Sequence, residues 1–173
     1  MKINRGRGRA GQSLVEMAMV LPVLALLTFG LLDFGRAYYF QVSITNAARE
    51  GARVAILNIY TGPQNPTCST SNSYATCPVQ TDAAIITAVN NELMYSAIAP
   101  TSITICPPHD STSSTAGCSN TSNRVDNWVA QNPTFYYVNV IVTFDFQLYT
   151  PMMQQLVGNP VHMSVAVQMR TNY

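Results

Sequence analysis

Glu16 is the only charged residue between Leu14 and Leu32, in the stretch "LVEMAMVLPVLALLTFGLL". A carboxylate there costs up to about a few kcal/mol in a bilayer, less near the edge, unless a positive charge meets it. The other groups equipped for chemistry are scattered. His109 falls in a Pro/Ser loop and His162 on the polar side of a predicted strand, so both read as surface residues. No Ser/His/Asp set assembles, and the chain has neither a G-x-S-x-G elbow nor a phosphate loop. Asp110 and Asp126 flank a Ser/Thr/Asn-rich loop, but their spacing matches no calcium cage. Cys68, Cys77, Cys106 and Cys118 sit among Ser, Thr, Asn, Pro and Gly, without CxxC or His/Cys ligand spacing. That pattern argues against zinc and for disulfides in an oxidising compartment. Three pairings are possible, and short local loops favour Cys68–Cys77 and Cys106–Cys118. These residues describe a non-enzymatic chain with no metal and no cofactor.

The elements that must position Glu16 are more legible. The nineteen residues from Leu14 to Leu32 cover about 28 Å as a helix, close to the ~30 Å hydrocarbon thickness of a bilayer. Lys2, Arg5, Arg7 and Arg9 precede this segment, whereas from Gln12 onward eight carboxylates outnumber five arginines. A basic leader of this kind holds the N-terminus in the cytoplasm and sends everything after Asp33 outward. The remainder offers no basic surface for nucleic acid.

Helical periodicity continues past the apolar run. At 100° per residue, Phe34, Ala37, Tyr38, Ile44, Ala48, Ala52, Ala55, Ile56 and Ile59 gather on one face. Arg36, Ser43, Asn46, Arg49, Glu50 and Arg53 occupy the other. One helix is therefore expected from about Gln12 to Ile59, roughly 70 Å long, with a kink where Pro22 lacks its amide donor. A secretory signal cleaved at "GRA" (Gly35–Ala37) has no reason to keep this register. A plain signal anchor explains the length and orientation but leaves Glu16 unexplained.

"GQSLVE", from Gly11 to Glu16, resembles the processing motif of type IV prepilins. That resemblance implies a membrane peptidase cutting after Gly11, where the absent side chain lets a protease approach the backbone. The cut creates an α-ammonium at Gln12, one turn from Glu16, and a carboxylate that can pair with it is far less costly than a lone one. The longer stretch from Gly11 to about Ala55 resembles the amino-terminal domain of TadE-like proteins, with "LLDFGRA" and "NAAREGAR" its most specific parts. These are minor pilin-like proteins of tight-adherence, or Flp-type, pilus machines. Met17 departs from the pattern, since relatives often carry an aromatic there. "LYTPMMQQLVGNPVHMSVAVQMR" resembles the family's closing strand pair more loosely.

The Asp33/Arg36 and Glu50/Arg53 pairs, each spaced to solubilise a helix, lie with Arg49 in the most family-like stretches. The resemblance assigns them contacts with another subunit. Gly30, Gly35, Ala48 and Ala52 permit close helix approach.

The external part reads as a small α+β domain. Thr61–Gln80 is a polar, Pro-punctuated connector or recognition loop. Thr81–Ile98 reads as a helix capped by Thr81 or Asp82, with Ile85, Val89, Leu93 and Ala97 facing the core beside Ile86 and Met94, and with Pro100 ending it. "SITI" is a short strand. In "VNVIVTFDFQL", Val138, Val140, Val142, Phe144, Phe146 and Leu148 alternate with polar residues, and "VHMSVAVQM" repeats the pattern. Such alternation predicts an antiparallel sheet of three or four strands with one covered face, under the helix and the outer half of the long helix.

The domains are then a leader (1–11), a long helix (12–59, spanning at about 14–32) and an extracytoplasmic domain (60–173). The resemblance implies a minor pilin, or pseudopilin, in the bacterial inner membrane that reaches the extracellular side within a pilus. Its partners are lipid, a prepilin peptidase and other pilin subunits in a homo- or hetero-oligomer. The alternative is a permanently anchored adhesion or binding protein that never joins a filament.

Overall fold

The computed structural model describes residues 7–57, 79–109, 118, 123–124 and 137–170, with side chains described from residue 11. The element order is α1 (Arg7–Ala55), α2 (Asp82–Leu93), β1 (Ser102–Cys106), β2 (Tyr137–Phe146), α3 (Pro151–Val157) and β3 (Val161–Arg170). The described residues form two compact units. One takes α1 up to Tyr38 with residues 146–161; the other takes α1 from Tyr39, α2, β1 and most of β2 and β3.

In the second unit the sheet runs β1-β2-β3, antiparallel, with Ser102 opposite Thr143 and Cys106 opposite Asn139. Val138, Val140 and Val142 of β2 are fully buried, as period-two alternation requires. They join Ile85, Val89 and Leu93 of α2 and Ile44, Ala47, Ala48, Ala52 and Ala55 of α1 in one cluster. The inward residues of β3, from Val161 to Met169, are half-buried, and those between them are exposed. The α+β class and the covering of one sheet face by two helices match the expectation.

Gly51 explains how closely these layers meet. A Cβ there would lie 2.5 Å from Val89 Cγ2 and 3.4 Å from Val140 Cγ1, so α1 approaches α2 and β2 at a distance only glycine permits.

Several boundaries differ from the sequence reading. α1 starts at Arg7, before Gln12, and ends at Ala55, short of Ile59, with the Ile56 and Leu57 amides donating to Ala52 and Val54. Pro22 lies inside it. Thr81 caps α2 as expected, its hydroxyl accepting from the Ala84 amide at 3.2 Å. The helix gives way at Leu93 to a 3₁₀ turn, Met94–Ser96, that Ala97 closes in the left-handed region at φ 53°. Ala97 and Met94 are consequently exposed, and Ile98 takes the buried position instead. Phe34 and Tyr38 are exposed too, because the core cluster takes its first α1 residues at Phe40 and Ile44.

Cys106 and Cys118 are bonded, with Cα atoms 5.5 Å apart, as one favoured pairing has it. Cys68, Cys77, Asp110, Asp126 and the connector through residue 78 lie outside the described residues.

Candidate functional site

The first surface that demands a function is the apolar part of α1. Except for the half-buried Leu26, its large apolar side chains from Leu14 to Leu32 stand between 45% (Val20) and 74% (Met19) exposed. A soluble chain rarely presents so long an apolar surface, and this helix is long and apolar enough to cross a membrane. Thr28 suits such a setting, since its hydroxyl donates to the Leu24 carbonyl at 2.8 Å and leaves no polar group unmet. Glu16 has no such provision. It is exposed on the helix, one turn from Gln12, and among the described residues no hydrogen bond or ion pair reaches it. Gly11 is helical, and no described atom lies within 4 Å of where a Cβ would stand.

The second site is a clasp at the end of the apolar run. Asp33, 4% exposed, accepts from the Thr150 amide at 3.0 Å through Oδ2 and from the Tyr149 amide at 3.3 Å through Oδ1. Thr150 is the N-cap position of α3. Asp33 thus supplies from a distant part of the chain the carboxylate that a helix start favours. Burial alone would raise its pKa. The Thr150 hydroxyl and amide, the Tyr149 amide and the Arg36 charge outweigh that, and the net shift is downward. Arg36 Nη1 lies 3.5 Å from Asp33 Oδ1, and its guanidinium stacks 3.8 Å from the Tyr149 ring centroid and 5.3 Å from that of Phe146.

The family model described as TadE-like protein matches residues 11–53. The chain carries a TadE-like amino-terminal segment. No curated protein and no solved structure matches the chain. TadE-like proteins are associated with tight-adherence pili, and the matched segment here falls on the helix that is long and apolar enough to cross a membrane.

Within the TadE-like segment the candidate residues separate into three groups. Gly11, Gln12 and Glu16 lie on the exposed helix start. Gly30 and Gly35 are open, with nothing within 4 Å of an added Cβ. Ala48 and Ala52 are taken up by the chain's own core. Asp33 and Arg36 are engaged within the chain, whereas Arg53 grips Glu50 through two exposed contacts of 2.6 and 2.8 Å beside an exposed Arg49. The Arg53 contact is the main reason the Glu50 pKa falls.

Sequence reasoning missed a third polar centre. Arg124, fully buried, donates to the Pro107 carbonyl at 2.6 Å, the Gln80 carbonyl at 2.7 Å and Asp82 Oδ1 at 2.5 Å. Asp82 Oδ2 accepts from the His109 amide at 3.1 Å. His109 is therefore buried rather than on the surface, because this network draws its segment onto the start of α2. His162 is exposed, as expected, and contacts Asp145 Oδ1 at 2.5 Å through Nδ1. A lone arginine among polar loop residues carries no periodic signal, so burial of Arg124 was not readable from its neighbours.

Proposed function

We propose that the protein is a non-enzymatic, TadE-like minor pilin (pseudopilin) that takes part in assembling or initiating a tight-adherence-type pilus or secretion filament. It is made as an inner-membrane precursor with its N-terminus in the cytoplasm. A prepilin peptidase cuts after Gly11 and leaves the apolar segment on the mature chain. Residues Leu14–Leu32 then pack against equivalent segments of other subunits, in lipid before assembly and in a filament after it.

The observation that carries this reading is Glu16, an exposed carboxylate with no partner among the described residues, in an apolar helix one turn beyond the bond that follows Gly11. Cutting that bond generates the missing cation at Gln12. A pair between this ammonium and Glu16, within one chain or across two, removes the cost of the bare charge. Across two chains it also fixes axial register, because a one-turn slip leaves both charges unmatched. Gly30 and Gly35, which are open in the single chain, admit close helix approach in the assembly.

A Glu16→Ala variant tests this directly. Leader removal is expected to continue, since the carboxylate is needed only after the cut, while incorporation into filaments is lost. Filaments assembled normally by the variant would contradict the register role. An uncut wild-type chain that still functions would favour a permanent anchor carrying an adhesive domain.

A further inference from the structure

The segment between β2 and β3 is apolar, exposed and seated beside the apolar part of α1. Met152, Met153, Gln155 and Leu156 line one cavity together with Leu26. Leu26 precedes Asp33 by seven residues, roughly 10 Å along a helix, and therefore lies within the span rather than at its end. Leu156 is 80% exposed, and Met152 and Val157 are also exposed.

We propose that α3 is an interfacial anchor. It lies among the headgroups and upper acyl chains of the leaflet at the Asp33 end of the span, with Met152, Leu156 and Val157 against lipid. The inference rests on reading α1 as membrane-spanning, and it commits to lipid rather than a second protein as the cover for this face.

Three observations favour lipid. The apolar face of α3 is continuous with that of the span, since Leu26 and Leu156 share one cavity. Several polar groups flanking the segment are also met within the chain, which lowers the cost of placing it near lipid. The amides of Leu148, Tyr149 and Thr150 donate to Asn159, Asp33 and Asp33. Gln154 Nε2 donates to the Leu148 carbonyl at 2.6 Å, and Asn159 Nδ2 to Gln147 at 3.2 Å. Gly158, at φ 92°, turns the chain sharply after α3 while its amide donates to Gln154. Finally, the groups at the mouth of this region suit the membrane–water boundary. Tyr149 is exposed beside the Arg36 guanidinium, an aromatic and a cation of the kinds enriched where a span meets water.

The test uses the full chain in vesicles of phosphatidylglycerol and phosphatidylcholine, the latter either ordinary or brominated high on the acyl chains, at high lipid excess. Leu156→Trp is compared with the parent, which retains Trp128, and with Leu27→Trp as a marker of the span. Bromination is expected to lower the added Leu156→Trp fluorescence by about half, approaching the loss for Leu27→Trp, as burial beside the upper acyl chains requires. Met152→Trp, one turn before Leu156 on the same side of α3, gives a second reading should Leu156→Trp fold poorly. Quenching of Leu27→Trp without quenching at either α3 position would overturn the interfacial anchor alone. An unquenched α3 face that cross-links to a second copy would overturn it in favour of a protein cover. Absence of quenching at Leu27→Trp would overturn the membrane-spanning reading itself.

Discussion

Leu14–Leu32 and Tyr39–Ala55 are two stretches of one helix, both rich in apolar residues, with opposite surroundings. In the later stretch, Ile44, Ala47, Ala48, Ala52 and Ala55 are buried in a core shared with α2 and β2. In the earlier one, large apolar side chains from Leu14 to Leu32 remain exposed. Side-chain size follows the same division. The buried stretch uses alanine and Gly51 where its own chain must come close, whereas the exposed stretch uses leucine, methionine, valine and phenylalanine. The later half of α1 is satisfied by this chain's fold, and the earlier half by what lies outside it. Burying each of those large side chains is worth about 1.5–3 kcal/mol, so the apolar surface is a strong demand for lipid or neighbouring helices.

Perturbing the core should therefore change folding, and perturbing the span should change association. The largest folding effect is expected at Arg124. Arg124→Ala leaves Asp82 and two carbonyls without their buried donor, and should cost about 3–5 kcal/mol by denaturant unfolding of the detergent-solubilised chain. A loss below about 1 kcal/mol would mean that the network contributes little beyond ordinary surface contacts.

Gly51→Ala should follow, at about 1–3 kcal/mol, because the new methyl meets Val89 at 2.5 Å. Gly30→Ala, made in open space, is the matching control and should leave the isolated chain's unfolding midpoint within about 0.5 kcal/mol. Equal losses at the two glycines would erase the distinction between the halves.

A smaller and more local effect is expected at Asp33. Its folded pKa lies below the ordinary value of 3.8, so its stabilising contribution is complete above the usual aspartate range. That contribution is lost as pH falls through the folded pKa. The Tyr149 and Thr150 amide resonances should therefore shift at acid pH in the parent. Asp33→Asn should weaken the clasp at neutral pH and flatten this dependence.

Much of this division was legible in the amino-acid sequence. Period-two alternation located the inward valines of β2, and the four-residue repeat located Ile85, Val89 and Leu93. Periodicity identifies an apolar face without saying what covers it. For that reason Phe34 and Tyr38 were grouped with Ile44 although they remain exposed. The end of α2 was hidden because Ala97 keeps the helical spacing while its backbone turns left-handed. The Asp33 clasp was not readable because its partners stand more than a hundred residues away and engage it through backbone amides, which have no sequence signature. Gly51 was overlooked for a related reason: a missing side chain leaves no apolar mark, and only the approach of Val89 reveals its role.

The central claim is that Glu16 awaits a cation created by cleavage after Gly11. Intact-mass and amino-terminal analysis of the native protein, extracted from membranes, tests it most directly. The account predicts a mature chain beginning at Gln12, whereas a functional membrane population that keeps residues 1–11 would contradict it.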